Sequence, residues 1–297
     1  MSYSLNSWPP PRRSCTIKVF VPSSILKVEP TPLLKALTVW SLARACAIHR
    51  IEKLIIYRDE DRASYRRNSS FILKILHYLM TPPYLRRLVI PLDRDLRFVG
   101  ALKPLALPTH PRKDSDVIGS LRVGLVEEVT SSYAKAFIGL KKRCLIDRSH
   151  GVRRGDLILL RIVSEDVEHY RCEIVENPPI YIGFKVAAYE SIAKAFNEEC
   201  RECIAIEFTR EGRAPQALSE FLRDRSPRCL CLLFGSPTRD FSEIVHSMEE
   251  GSRSQIVPTL RINTAPYQGV RTIRTTEALY ISLAVLNTIL YDLRICV

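Results

Sequence analysis

The stretch NTAPYQGVRTIRTTEALYISLAVLN, Asn263 to Asn287, falls into two unlike halves. The first is polar, with Asn, Thr, Gln, Gly and two Arg close together; the second is apolar and helical in composition. In and just past that second half, Leu279, Leu283, Leu286 and Leu290 recur at i, i+4, i+7 and i+11, which is one helical stripe. Ile281, Val285 and Ile289 add a second apolar face. A helix over 276–291 that is apolar on two sides is predicted to be buried, in the core or at a subunit interface. A polar loop set directly before such a helix needs a reason, and the rest of the chain supplies one.

Upstream, strand and helix alternate. CTIKVFVPSSIL reads as a strand; after it, LLKALTVWSLARACAIHR reads as a long helix with Thr31 at the N-cap and Pro32 at the first helical position. IEKLIIYRD is the next strand, and SSFILKILHYLMTPPYLRRLVIP a helix stopped by Pro82 and Pro83. The alternation returns after residue 178, with YIGFKVA, CIAIEFT and CLCLLFG as strands and PTLRINTAPYQ as a last strand and loop. This predicts an α/β domain built on a mostly parallel sheet, formed by residues 14–108 and 179–297. Three of its strands are followed by polar loops: TREGRAP after Phe208, GSPTRD after Phe234 and NTAPYQGVRTIRT after Ile262. The carboxyl ends of parallel strands form the ligand crevice of such sheets. Gly235 and Gly269 allow close backbone approach or positive φ there, which suits an adenosine-type ligand. There is no GxGxxG, no GxxxxGK[ST], and no Ser-His-Asp, HExxH or paired-carboxylate pattern.

Between the two halves the pattern changes. LPTHPRKDSDVIGS is a linker by composition, and residues 115–178 hold five short strands separated by turns, which predicts a small β-barrel of the OB type. The segment holds the cations Lys135, Lys141, Lys142, Arg143, Arg148, Arg153, Arg154 and Arg161; Tyr133 and Phe137 lie among these charges. Cations beside stacking platforms are how such barrels grip nucleic acid, so Lys135, Lys141, Lys142, Arg143, Arg153 and Arg154 are RNA-binding candidates. The whole chain carries 44 Lys plus Arg against 32 Asp plus Glu, a surplus that favours a polyanionic partner. No apolar run approaches the ~20 residues of a membrane span, and residues 1–13 read as a flexible leader without a signal-peptide pattern, so a cytoplasmic protein is expected. Of the nine cysteines, Cys200 and Cys203 with Cys229 and Cys231 could supply four zinc ligands. Cys229 and Cys231, however, lie in an apolar strand-like run where they serve as small hydrophobes, so no metal is expected. A Cys200–Cys203 or Cys144–Cys172 disulfide would suit a hyperthermophile, and both stay open.

INTAPYQGVRTIRTTEALYISLAVLN resembles the C-terminal signature of the SPOUT-class RNA methyltransferases of archaea and eukaryotes that carry an inserted OB-like domain. The pattern is N-T-x-P-x-Q-G-x-R-T-I-R-T-x-E-A, and every fixed position is met. LARACAI resembles the family's first helix, and PPYLRRLVIPLDRDLRFVGALKPLALPTH its block before the insertion. The resemblance implies a trefoil-knotted C-terminal region, a homodimer and S-adenosylmethionine bound in the knot. It implies that Phe234, Gly235, Ser236 and Pro237 form one cofactor loop, and that Leu260, Ile262 and Thr264 offer backbone contacts to the adenine. Asn263, Gln268, Gly269, Arg271, Thr272, Ile273 and Arg274 would form the long knot loop, with Thr275 as N-cap of the last helix, Glu277 in its first turn and Ala278 beside the ligand. The first cofactor loop departs from the pattern: Glu207, Phe208 and Thr209 stand where Gly-Thr-Ser is expected, and only Thr209 and Gly212 fit. Ala106 stands where an acidic residue is expected.

Methyl transfer to a base nitrogen requires a proton to be removed or its affinity lowered, and positive charge near the nucleophile does this. Arg271, Arg274 and Arg44 are the catalytic candidates, Arg44 across a dimer. His49 and His110 read as structural. Two functions are then open: an S-adenosylmethionine-dependent RNA methyltransferase, with uridine N3 of large-subunit rRNA as target, favoured by the intact QGxRTIRT block; or an RNA-binding or ribosome-assembly protein with little turnover, favoured by Glu207.

Overall fold

The computed structural model describes residues 7–111, 117–147, 151–248 and 256–297. Its elements are β1 (Thr16–Pro22), α1 (Pro32–Ile48), β2 (Lys53–Tyr57), α2 (Arg62–Met80) and the single turn α3 (Arg86–Val89). Then come β3 (Leu121–Val129), β4 (Tyr133–Phe137), β5 (Arg143–Asp147), β6 (Leu157–Glu165) and β7 (His169–Ile174). The chain ends with β8 (Lys185–Tyr189), α4 (Ile192–Glu199), β9 (Ile204–Arg213), α5 (Pro215–Leu222), β10 (Cys229–Phe234), α6 (Phe241–Met248), β11 (Leu260–Ile262) and α7 (Thr275–Asp292). Two compact units result.

The sheet unit comprises Arg13–His77, Arg94–Lys103 and Gly183–Val297. Its six strands run β11-β9-β10-β1-β2-β8, and every pairing is parallel. Parallel strands need both faces covered, and the central β10 is accordingly apolar along almost its whole length. On one face Phe20, Ile55, Tyr57, Cys231 and Leu233 pack with Phe196 of α4 and Phe241, Ile244 and Val245 of α6. On the other, α7 packs on β10, with α1 and α5 against α7. The predicted Leu279, Leu283, Leu286 and Leu290 stripe is the buried face of α7. Thr31 caps α1 as expected, accepting from the Leu34 amide at 3.3 Å with Pro32 at the first position. The next helix starts seven residues before the predicted Ser69, because Asp61 accepts from the Ser64 amide at 2.9 Å and begins a turn that the apolar pattern does not mark.

The barrel unit comprises Tyr78–Asp93, Pro104–Ile182 and the residues up to Arg12. Its strands close in the order β3-β4-β5-β7-β6, with β3 pairing β6; the β5–β7 pair is parallel and the others antiparallel. Alternate residues such as Val126, Ala134, Ala136, Ile146, Leu160 and Ile162 fill the interior. The Cys144–Cys172 disulfide joins β5 to β7 inside that core. A Cys200–Cys203 disulfide does not form: Cys203 pairs with Cys229, and Cys15 pairs with Cys296 near the other end of the chain. Cys200 closes α4 while Cys203 follows it, so the latter reaches the start of β10 instead.

Candidate active site

Since β9, β10 and β11 are neighbours, the loops leaving their carboxyl ends converge. With α7 they enclose a cavity of about 290 Å³, just under the usual small-ligand range of ~300–1,000 Å³. Of the residues proposed from sequence, Thr209, Phe234, Gly235, Ser236, Pro237, Asn263, Thr264, Gln268, Arg271, Thr272, Ile273, Thr275 and Ala278 all line it. Gly212, Leu260, Ile262, Gly269, Arg274 and Arg44 do not. The cavity also takes in Arg210, Glu211, Thr238, Arg239, Asp240 and Ala265, which belong to the three predicted loops without being singled out there, and Phe208, Glu243, Ile281 and Ser282, which lie outside those loops.

Several polar residues of the signature hold the loops in place. Asn263 donates to the Arg210 carbonyl at 2.8 Å and accepts from the Ala265 amide at 2.9 Å, so one side chain joins the first loop to the third. Thr264 and Ser282 share a hydroxyl hydrogen bond of 2.8 Å, which fixes the third loop to α7. Thr275 is the first residue of α7 rather than its N-cap: Arg274 holds the cap position, its amide donating to Glu277 at 2.8 Å. The Thr275 hydroxyl instead donates to the Gly235 carbonyl at 3.0 Å, tying α7 to the second loop. Gln268 braces its own loop by donating to the Val270 carbonyl at 2.9 Å. From behind, the buried Tyr57 hydroxyl donates to the Phe234 carbonyl at 2.6 Å. Burial, with Asp59 and Glu207 nearby, pushes the Tyr57 pKa well above its usual value, so this bond persists at any working pH.

Two glycines permit the convergence. The predicted loop after Phe208 remains strand-like to Arg213, but pairing jumps from Arg261↔Glu207 to Ile262↔Arg213, so the intervening residues bulge outward and return to β11. A Cβ on Gly212 would land within 3.0 Å of the Ile262 backbone. A Cβ on Gly235 would meet Asp240, across the turn closed by the Ser236 amide on the Arg239 carbonyl at 2.9 Å. Gly269 differs from expectation: its surroundings are open and it does not hold positive φ, whereas Tyr267 does, at φ 58°. Leu260 and Ile262 are buried in β11, behind the cavity wall.

Glu207, the departure from the family pattern, is fully buried and satisfied. It accepts from the Ser242 amide at 2.9 Å, the Ser242 hydroxyl at 2.5 Å and Arg261 at 3.0 Å. Arg261 also reaches Asp240 at 3.3 Å, and Asp240 accepts from the Thr209 hydroxyl. Thr209 therefore orients a carboxylate of the second loop. Arg239 extends the network by donating to the Asp59 carbonyl at 2.6 Å; the Asp59 carboxylate accepts from the Ser23 hydroxyl, the Ser24 amide and the Ser24 hydroxyl. No sequence signal joins residues so far apart.

The three catalytic candidates separate. Arg271 is exposed at the cavity wall, and its side chain makes no ion pair or hydrogen bond among the described residues. Arg274 lies 3.5 Å from the buried Glu29. Arg44 is half-buried on α1, on one stripe with the exposed Leu37 and Ile48. His49 and His110 lie outside the cavity; His110 lies 3.0 Å from the Met80 carbonyl.

The barrel cations fall into two groups. Lys135 pairs with Glu128 at 3.4 Å, Lys142 with Glu165 at 2.6 Å, and Arg143 with Glu127 at 2.7 Å while lying over the Phe137 ring. Lys141, Arg153 and Arg154 form no ion pair among the described residues; Arg148 lies outside them.

A polar cavity at the carboxyl edge of a parallel sheet, in a chain with a net charge of +12, defines a ligand-binding α/β protein suited to a polyanionic partner. The chain belongs to the family described as "Putative RNA methyltransferase", whose model matches residues 16–286. It is thus a member of an RNA methyltransferase family, whose reaction requires a methyl donor. It is 27% identical to the human 28S rRNA (uridine-N(3))-methyltransferase, over 93% of this chain and 78% of that one. It is 26% identical to the mouse protein of the same name, over 93% and 77%. An uncharacterized protein of Haloarcula marismortui is 28% identical, over 92% and 99%.

Proposed function

We propose that this chain methylates uridine N3 in large-subunit ribosomal RNA, the reaction that the names of its human and mouse relatives state. The observation that carries the proposal is Arg271: an exposed guanidinium, without protein partners among the described residues, on the wall of a cavity built by the signature loop. The donor assigned is S-adenosylmethionine. The cavity chemistry suits it: Ile273, Ala278 and Ile281 offer an apolar wall for a purine, Glu211, Asp240 and Glu243 match cationic groups, and Arg210 matches a carboxylate. When bound, this donor supplies an activated methyl on a sulfonium. In-line displacement needs the nucleophile held at roughly 3–3.5 Å. Arg271 places positive charge beside the uracil, lowering the proton affinity of N3.

The domain scheme proposed is a SPOUT domain over 14–108 and 179–297 with an inserted OB-like RNA-binding barrel over 115–178. The 1-2-3-5-4 strand order of the barrel supports the second part. The close passage of Gly212 over Ile262 and the tie from Thr275 to Gly235 support a knotted C-terminal region. A homodimer is supported by half-exposed Ile281, Val285 and Ile289 on α7 and exposed Leu34, Leu37 and Ile48 on α1, with Arg44 among them. A cytoplasmic setting follows from the proposed ribosomal RNA substrate; separately, no helix among the described residues is long and apolar enough to cross a membrane. The buried, satisfied Glu207 removes the reason for preferring an assembly protein without turnover. Nucleoside mass spectrometry of rRNA from a strain lacking the gene tests the function. Loss of one 3-methyluridine is expected; an unchanged inventory overturns the target.

A further inference from the structure

Four cysteines meet at the end of β10 opposite the cavity. Cys200 caps α4, and the Cys203 amide donates to its carbonyl at 2.9 Å, forming a tight C-x-x-C turn. Cys229 and Cys231 open β10, where i, i+2 spacing puts both on one face of the strand. The sulfurs of Cys203, Cys229 and Cys231 lie within 4.8 Å of one another, and the buried, free Cys200 begins the same C-x-x-C turn. Cys203 and Cys229 form a disulfide. Among the described residues Cys46, Cys200 and Cys231 stand outside disulfides, so two of these three thiols flank this one bond. A bond that acts as a staple needs no further sulfur, and the barrel core around Cys144–Cys172 contains no other cysteine.

We propose that Cys200, Cys203, Cys229 and Cys231, when reduced, form a tetrahedral thiolate site for zinc, and that the Cys203–Cys229 disulfide is its metal-free oxidised state. With Zn–S bonds of ~2.3 Å, tetrahedral sulfurs stand about 3.8 Å apart, inside the span of the Cys203, Cys229 and Cys231 sulfurs; Cys200 completes the set by turning in from the end of α4. A dithiol or phosphine supplies the two electrons that open the disulfide, and two protons complete the thiols. Zinc then bonds four sulfurs and four protons leave. Zinc binds thiolates, so ligation displaces the thiol protons. The Cys231 thiol donates to the Glu199 carbonyl at 3.3 Å, marking one proton to be displaced. The doubly negative site has cations at hand: Lys18 and Lys53 both bind Glu199, while Arg201 and Arg228 line an adjoining cavity of about 640 Å³. That cavity reaches Cys203 and Cys229 and gives reductant and ion a way in. The expectation of no metal treats Cys229 and Cys231 alike as core fillers; Cys231 is one, but Cys229 is half-exposed on this cavity. The site is independent of the methyl-transfer reading.

The test uses the full chain, reduced with a phosphine, stripped of metal and titrated with Co²⁺. One equivalent is expected to give thiolate charge-transfer and tetrahedral d–d bands, which one equivalent of Zn²⁺ bleaches. Cys231→Ser and Cys203→Ser are expected to lose the bands while keeping the far-UV circular dichroism, and Cys46→Ser to retain them. Should Cys231→Ser unfold, the half-exposed Cys203→Ser decides. Absence of stoichiometric bands in the reduced native chain, or bands unchanged in a folded Cys203→Ser, overturns the proposal.

Discussion

In the sheet unit two of the carboxylates that hold the cavity loops from behind are buried. Glu207 and Asp59 have almost no contact with water, and each is held by several donors. In the barrel unit the carboxylates that pair with Lys135, Lys142 and Arg143 lie at the surface. A buried carboxylate cannot exchange its partners without a large desolvation cost, so the loops it holds stay in place before any ligand arrives. Surface pairs contribute about 0–1 kcal/mol, and an RNA phosphate can replace such a carboxylate at little cost. The cleft is built to be fixed, and the barrel surface to be renegotiated.

The strongest way to break this contrast is to remove one carboxylate of each kind. Glu207→Ala leaves Arg261 and Ser242 without this partner and is expected to cost about 3–5 kcal/mol in urea unfolding. Glu165→Ala on the barrel is expected to change stability by no more than about 0.5 kcal/mol. Equal losses would end the distinction. Next in size, Arg271→Ala should lower the single-turnover methyl-transfer rate by about 10²–10³-fold without affecting the fold. Arg274→Ala, whose guanidinium is engaged by Glu29, should fall far short of that. An equal or larger rate loss in Arg274→Ala would move the catalytic role there.

Replacing Lys141, Arg153 and Arg154 together by Ala is expected to make RNA binding less salt-sensitive. The log–log slope should fall by about 0.7–0.9 for each phosphate that the barrel no longer neutralises. S-adenosylmethionine binding, followed by calorimetry, should be unchanged. An unchanged salt slope would show that RNA does not bind this face of the barrel. The smallest effect concerns pH. Burial alone would raise the Glu199 pKa, but hydrogen bonds from Lys53, Tyr189 and Lys18 outweigh it and hold the carboxyl down at about 2. A folded pKa below the unfolded value near 4.5 means stability that is present above pH ~4.5 and lost as pH falls toward 2. Glu199→Gln should therefore flatten the melting-temperature profile between those limits, as scanning calorimetry can record.

Local and periodic features are legible in the sequence. The Leu279–Leu290 stripe, the Thr31–Pro32 helix start and the five barrel strands each depend on residues only a few positions apart. Much of the cavity wall is legible too, because the signature concentrates it in one loop. What stays hidden depends on partners brought together by folding. Glu207 reads as a defect because Ser242 and Arg261 lie 35 and 54 residues away. The pairing of Arg274 with Glu29 is hidden for the same reason, and Cys203 reads as the partner of its sequence neighbour instead of Cys229. Gly269 looks like the strained glycine, yet Gly212 is the one pressed on another backbone, and only the path of β11 reveals it.

The Cys15–Cys296 bond joins positions 281 residues apart, and Arg13 beside it donates to the Cys296 carbonyl at 3.0 Å. An open string with a knot can always be untied by drawing a free end back through the loop. If the C-terminal region is knotted as proposed, this bond turns the string into a ring. The crossing then becomes permanent: denaturant can melt every helix and strand, and the molecule stays tangled until a reductant cuts the ring.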